Sequence, residues 1–212
     1  MKVRKDIKEF INTLPKNVTL VAATKYVDVP VMKDLLSNGI NNFGENRTEA
    51  FLDKYVYLKD EKITWHFIGH LQRNKAEDII NKIDYLHSLD SLKLAKIIDE
   101  KRTSPLNCFI EVSINEEESK NGVKVPDLEN FIKEVLKYKN INLVGFMMMS
   151  IKYSDEKSLN DQFAKLVKVR NEIEQKLNIK IPYLSMGMSD DYTVAIKNDA
   201  THIRLGRILF EE

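Results

Sequence analysis

A repeated alternation constrains this chain more than any other feature. Short apolar runs, many of them β-branched, recur between longer amphipathic stretches through most of the sequence. The runs cover residues 18–24, 41–43, 64–68, 85–89, 106–114, 141–149, 181–186 and 201–205. They are apolar throughout more than alternately, as expected of strands covered on both faces. The helical stretches between them cover 30–36, 45–58, 72–83, 91–101, 125–138, 155–177 and 189–197. Pro30 and Pro126 open two of these, Ser91 caps a third, and Asn38-Gly39 closes the first. Val3, Ile7, Phe10, Ile11 and Leu14 add an amphipathic helix over 3–14 ahead of the first strand. Alternating βα units predict a parallel sheet. Eight of them fit an α/β chain folded as a single (β/α)8 TIM barrel with an additional N-terminal helix. A doubly wound open sheet is the alternative.

Composition narrows the function classes. Of 212 residues, 33 are basic and 32 acidic, a formal net charge of +1. That balance lacks the basic excess of a general nucleic-acid binder. Cys108 is the one cysteine, which excludes an intrachain disulfide framework and a cysteine-rich zinc site. It sits in an apolar run and reads as a buried structural thiol. No apolar stretch approaches the roughly 20 residues of a membrane span, and the charged N-terminus lacks a signal-peptide core. No low-complexity linker interrupts the sequence. The expectation is one domain over 1–212, cytoplasmic and without a membrane partner.

A βα barrel places its active site at the C-terminal ends of its strands, and polar residues gather there. Lys25 directly follows the first run. Desolvation beside an apolar strand would lower its pKa and make it a candidate Schiff-base nucleophile; the alternative is a lysine snorkelling off a strand end. Phe43-Gly-Glu-Asn46-Arg47 and Trp65-His-Phe-Ile-Gly-His70 set polar groups beside glycines. Ser185-Met-Gly-Met-Ser189 offers hydroxyls and N–H groups to an anion, unless Ser189 merely caps the next helix. Arg204 lies within the last run, on the side shared by His202 and Gly206. A buried arginine there needs a partner, either an acid or a ligand. Gly206 lets a backbone approach a ligand, and loops after the seventh and eighth strands are a frequent phosphate site of such barrels. His66 reads as a core histidine, the acidic loop at 115–122 as a solvated one, and Met147 to Met149 as core. No HExxH, GxGxxG or P-loop pattern occurs, so neither a catalytic metal nor the usual nucleotide readings are expected.

Taken in order, VAATK at 21–25, FGENR at 43–47, WHFIGHLQRNK at 65–75, SINEEESKNG at 113–122, LVGFM at 143–147, LSMGMSDD at 184–191 and THIRLG at 201–206 carry a resemblance. The chain resembles the pyridoxal phosphate homeostasis proteins, the YggS/PROSC group, which are similar to the barrel domain of alanine racemase without its second, β-rich domain. The resemblance implies pyridoxal 5′-phosphate as cofactor, held by Lys25 as an internal aldimine. It implies that Arg204 faces the pyridine nitrogen and keeps it unprotonated, since an arginine does not give up its proton. Ser185 or Ser189, with the backbone of Gly206 and Arg207, would hold the phosphate, and Asn46 and His70 would line the ring. The implied role is to hold the cofactor and buffer it or deliver it to pyridoxal-phosphate-dependent apo-enzymes, as a monomer. The alternative is an amino-acid racemase, which needs an acid/base on each face of the cofactor; the length leaves no room for the second domain that supplies one in alanine racemase. Two positions depart from the family pattern: Glu211 follows Phe210, and Met149-Ser150 stands where a proline is common.

Overall fold

In the computed structural model, which describes residues 1–115 and 121–211, every apolar run contains a parallel strand. These are β1 (Thr19–Ala23), β2 (Asn42–Glu45), β3 (Thr64–Phe67), β4 (Tyr85–Leu89), β5 (Leu106–Ser113), β6 (Ile141–Met147), β7 (Tyr183–Ser185) and β8 (His202–Leu205). Each pairs with its neighbours in sequence, and β8 returns to β1 through Ile203↔Leu20 and Arg204↔Val21. Closure leaves these eight strands no free edge, so the barrel stands and the open sheet does not.

Eight helices accompany the strands among the described residues: α1 (Ile7–Thr13), α2 (Val29–Ser37), α3 (Thr48–Leu58), α4 (Arg73–Ile79), α5 (Leu92–Lys101), α6 (Val125–Val135), α7 (Glu156–Leu177) and α8 (Tyr192–Lys197). Their starts follow local chemistry. Asp28, Ser91 and Asp155 accept from the N–H groups of Val31, Leu94 and Ser158, satisfying donors that a helix leaves orphaned. Each helix turns an apolar stripe inward: Met32 and Leu35 on α2, Leu94 and Ile98 on α5, Leu128 and Ile132 on α6, Phe163 and Leu166 on α7. Burying one such side chain contributes roughly 1.5–3 kcal/mol.

Several boundaries differ from the sequence reading. The expected helix over 3–14 begins only at Ile7, because Val3 pairs antiparallel with Phe210. β2 runs on through Gly44 to Glu45, where the helix was expected to begin, since the Glu45 carboxylate turns inward to Thr24 and Lys54. The helix expected over 72–83 ends at Ile79, and the Arg102 guanidinium takes the carbonyls of Ile80 and Ile83. β6 stops at Met147, leaving Met148 buried and Met149 exposed. α8 starts at Tyr192, not Ser189, because Gly187 adopts φ +93° and the Asp191 carboxylate takes the Met188 N–H. Part of the 115–122 loop lies outside the described residues.

Candidate functional site

The barrel interior is lined by aromatic and polar side chains. His66 stacks on Tyr85 with ring centroids 4.7 Å apart, and His87 stacks on Phe109 at 4.3 Å. His202 meets Phe109 and Tyr183 edge-on, each at 5.1 Å. Alternation along the strands produces this layer, since residues two apart face the same way. A hydrogen-bonded chain crosses it. His66 Nε2 lies 2.9 Å from Asn42 Oδ1, and His66 Nδ1 lies 2.9 Å from His87 Nε2. His87 Nδ1 is 2.7 Å from Ser185 Oγ, which accepts from Arg204 Nη1 at 2.6 Å. The second Arg204 nitrogen donates to the Met148 carbonyl at 3.0 Å.

Above this layer, the strand ends form the mouth. Ser189 Oγ accepts from the Gly206 N–H at 3.2 Å, which joins the loop after β7 to the end of β8. Across the adjacent strands, Glu45 Oε1 accepts from Thr24 Oγ1 at 2.5 Å and from Lys54 Nζ at 2.6 Å. Lys54 also donates to the Thr24 carbonyl at 2.6 Å, fixing the end of β1 immediately before Lys25. Lys25 itself is exposed, with its Nζ 4.6 Å from the centre of the Tyr26 ring. Asn46 follows β2, and its Oδ1 is buried without a hydrogen-bond partner among the described residues. The Asn46 backbone closely faces Gly69: a Cβ there would meet the Asn46 carbonyl oxygen at 2.3 Å. Next to Gly69, the exposed His70 pairs its Nδ1 with Asp90 at 3.2 Å.

Burial sets the protonation of the interior. It pushes His66 and His87 well below the ordinary histidine value and brings His202 down to about 4, with the nearby Arg204 charge acting in the same direction on His87 and His202. Burial also lowers Arg204 to about 10, against the attraction of Asp191 and Glu111. Glu111 is raised to about 7, first by burial and then by Asp90, with Arg204 opposing. Of the two carboxyls that act on Arg204, Glu111 therefore resists ionising.

The strands bring all eight expected residues to one end of the barrel, in different environments. Ser185 and Arg204 are buried and bonded to each other; Ser189 and Gly206 are half-buried and bonded to each other. Arg207 is exposed in an ion pair with Asp190 at 2.6 Å. Lys25 corrects one expectation, because the side chain stands out at the mouth and is not desolvated against the strand. Arg204 is buried as expected, and its hydrogen bonds among the described residues go to the Ser185 hydroxyl and the Met148 carbonyl, not to an acid. Ser189 does not cap α8. Lys54, His87, Glu111 and Asp90 went unmarked in the sequence, whereas Glu45 stood in the strand-end group Phe43-Gly-Glu-Asn46-Arg47. His87 and Glu111 left a trace there, as polar residues inside apolar runs.

This geometry has counterparts. The family model described as alanine racemase, N-terminal domain, matches residues 2–212. A pyridoxal phosphate homeostasis protein of Aquifex aeolicus is 37% identical over 196 residues, covering 91% of this chain and 86% of its own. Among solved structures, PipY of Synechococcus elongatus without PLP superposes with a TM-score of 0.92 at 27% identity, covering 99% of this chain and 100% of that one; with PLP bound the TM-score is 0.89, covering 97% and 100%. Alanine racemase of Clostridium difficile shares the fold, with a TM-score of 0.79 at 16% identity over 100% of this chain and 58% of its own. The class is therefore that of alanine-racemase-like barrels. Within it, the chain belongs to the pyridoxal phosphate homeostasis protein family.

Proposed function

We propose that this chain binds pyridoxal 5′-phosphate at the C-terminal mouth of the barrel, attaches it to Lys25, and serves to hold and release it. The observation that carries the reading is the state of Arg204: a buried guanidinium beside the mouth whose hydrogen bonds among the described residues go only to neutral oxygens. No carboxylate of the described residues is in hydrogen-bond contact with it, so the guanidinium is available to a ligand acceptor. The rest of the mouth fits the same group. Asn46 Oδ1 is buried and lacks a donor. The Ser189 hydroxyl accepts from the Gly206 N–H and keeps its own hydrogen to give. A Cβ at Gly206 would meet nothing nearer than Ala23 at 3.8 Å. Pyridoxal phosphate, when bound, supplies an aldehyde that condenses with an amine with loss of water, and a phosphate dianion.

The residues divide the work. Lys25, exposed to solvent, provides the amine. Ser189 and the backbone N–H of Arg207 would bind the phosphate, together with the Gly206 N–H once it exchanges Ser189 Oγ for a phosphate oxygen. Ser185 is fully enclosed between His87 and Arg204, so of the two serines it acts through the arginine. Arg204 would donate to the ring nitrogen and, as an acid too weak to part with its proton, would leave that nitrogen unprotonated, an arrangement that suits storage better than carbanion chemistry. Asn46 and His70 border the ring. No helix among the described residues is long and apolar enough to cross a membrane. The reading includes a single domain, a monomer, a cytoplasmic setting supported by the single buried thiol of Cys108, and apo-enzymes as recipients.

Absorbance provides the test. The purified chain mixed with pyridoxal phosphate should gain a visible band near roughly 420 nm, and borohydride reduction should fix the label on Lys25. Lys25→Ala should abolish both; a variant that keeps the band undiminished removes Lys25 from the site. Amino-acid racemization at ordinary enzyme rates, about 1–10³ s⁻¹, would overturn storage in favour of catalysis.

A further inference from the structure

The hydrogen-bonded chain beneath the mouth has a direction. Arg204 is a donor at every nitrogen, and its Nη1 gives a hydrogen to Ser185 Oγ. The hydroxyl hydrogen of Ser185 then has His87 Nδ1 as its partner at 2.7 Å. Nδ1 accepts, so the single hydrogen of a neutral His87 ring lies on Nε2. That nitrogen faces His66 Nδ1 at 2.9 Å, which must accept in turn. The His66 hydrogen therefore lies on Nε2, 2.9 Å from Asn42 Oδ1. The Asn42 amide is oriented to match, because its Nδ2 donates to Asn41 Oδ1 at 3.0 Å. Reversing the tautomers would set the bare Nε2 of His66 against Asn42 Oδ1, acceptor to acceptor, and leave the Ser185 hydrogen without this partner. Charging either ring would bury a second cation near Arg204, which the burial of both rings opposes.

We propose that Asn42, His66, His87 and Ser185 form a one-way hydrogen-bond relay that orients the Arg204 guanidinium at the mouth through a neutral hydroxyl, with no carboxylate of the described residues in direct contact. His66 and His87 are thus positioning residues, acting through Ser185 on Arg204. A carboxylate at the place of Ser185 would cancel the Arg204 charge on contact; a neutral relay fixes the geometry without that contact. The functional part of this inference rests on the proposed binding of pyridoxal phosphate, with an aromatic ring nitrogen as the acceptor for Arg204.

Two measurements test it separately. In the apo chain, long-range ¹H–¹⁵N spectra should show both His66 and His87 neutral at pH 7, hydrogen on Nε2 and Nδ1 bare, unchanged down to about pH 5.5. His87 protonated on Nδ1, or charged, overturns the relay. The second measurement compares His87→Phe with His87→Gln. The glutamine can accept from Ser185 through its oxygen and donate to His66 through its nitrogen, so it preserves the direction; phenylalanine breaks it. His87→Phe should bind pyridoxal phosphate about tenfold more weakly with a displaced absorbance maximum, while His87→Gln stays near the wild type in both. Equal affinity and spectrum in His87→Phe overturn the positioning role. If His87→Phe does not fold, the tautomers and the glutamine variant still decide: a His87→Gln chain that folds but loses the affinity also overturns it. If the wild type binds no pyridoxal phosphate, the cofactor reading fails, and the relay stands or falls on the tautomers and on the Arg204 side-chain resonances, which His87→Gln should leave in place.

Discussion

Lys54 and Arg204 are both withdrawn from solvent beside the mouth, and they are satisfied by opposite means. Lys54, with its side chain 12% exposed, meets the carboxylate of Glu45, which is 0% exposed. Arg204 meets the Ser185 hydroxyl and the Met148 carbonyl. The first charge is cancelled where it stands, and its effect is to tie the ends of β1 and β2 together just before Lys25 and Asn46. The second is held in place by neutral oxygens, with no carboxylate of the described residues in contact, and so can act on a ligand. One wall of the mouth is fixed by an ion pair that leaves an exposed lysine beside it; the other is a neutral framework around a buried cation.

Acid should break the neutral wall first. The His202 ring takes a proton at about 4 in the fold and at an ordinary 6.5 when unfolded. A depressed value in the fold means the stability is fully present above pH 6.5 and is lost as pH falls from 6.5 towards 4. His202 alone accounts for roughly 3 kcal/mol of this, and His66 and His87 act with the same sign. Urea unfolding of the apo chain across that range measures it, and a flat profile would show that the interior histidines are not held neutral. The charged wall should break by substitution. Glu45→Ala leaves Lys54 without its acid and should cost about 3 kcal/mol in urea unfolding. Glu45→Leu combined with Lys54→Met should recover most of that, as expected if the pair is structural.

Glu111 sharpens the contrast, because it is a buried acid that acts on Arg204 together with Asp191. It keeps its proton up to about 7 in the fold but loses it at an ordinary 4.5 when unfolded, so stability declines as pH rises from 4.5 to 7. Glu111→Gln should therefore melt above the wild type at about pH 8, by about 2–3 kcal/mol, with no gain below pH 4.5. Two glycines give the smallest effects. A Cβ at Gly69 would strike the Asn46 backbone at 2.3 and 2.7 Å, so Gly69→Ala should cost about 2 kcal/mol. At Gly206 the nearest atoms lie 3.8 Å away. Gly206→Ala should change the melting temperature less and show itself in pyridoxal phosphate titrations, as weaker binding.

Much of the fold was legible because apolar periodicity is a local record of which faces are covered. Eight runs gave eight strands, and Asp155 and Ser91 stand at the helix starts where their chemistry suggests. The misplaced boundaries belong to residues whose partners are distant in sequence: Val3 with Phe210, and Glu45 with Thr24 and Lys54. The site was legible as a set of strand-end residues, and Arg204 was recognisable as buried from its position in an apolar run. Its partners were not, since Ser185 lies 19 residues away and His87 reaches Ser185 across 98. Lys25 leaves both a desolvated and a snorkelling side chain open in sequence, because sequence shows the strand before it and not the open mouth above it.

By itself, the sequence determined the alternation of strands and helices, the near-neutral surface and the strand ends at which polar residues would gather, because each follows from short-range pattern. Only the tertiary structure decided which of those residues touch. Closing eight strands into a ring brings side chains from β2, β3, β4, β7 and β8 into one interior. There a hydroxyl and two imidazoles, none of which signals a role alone, can hold an arginine in place.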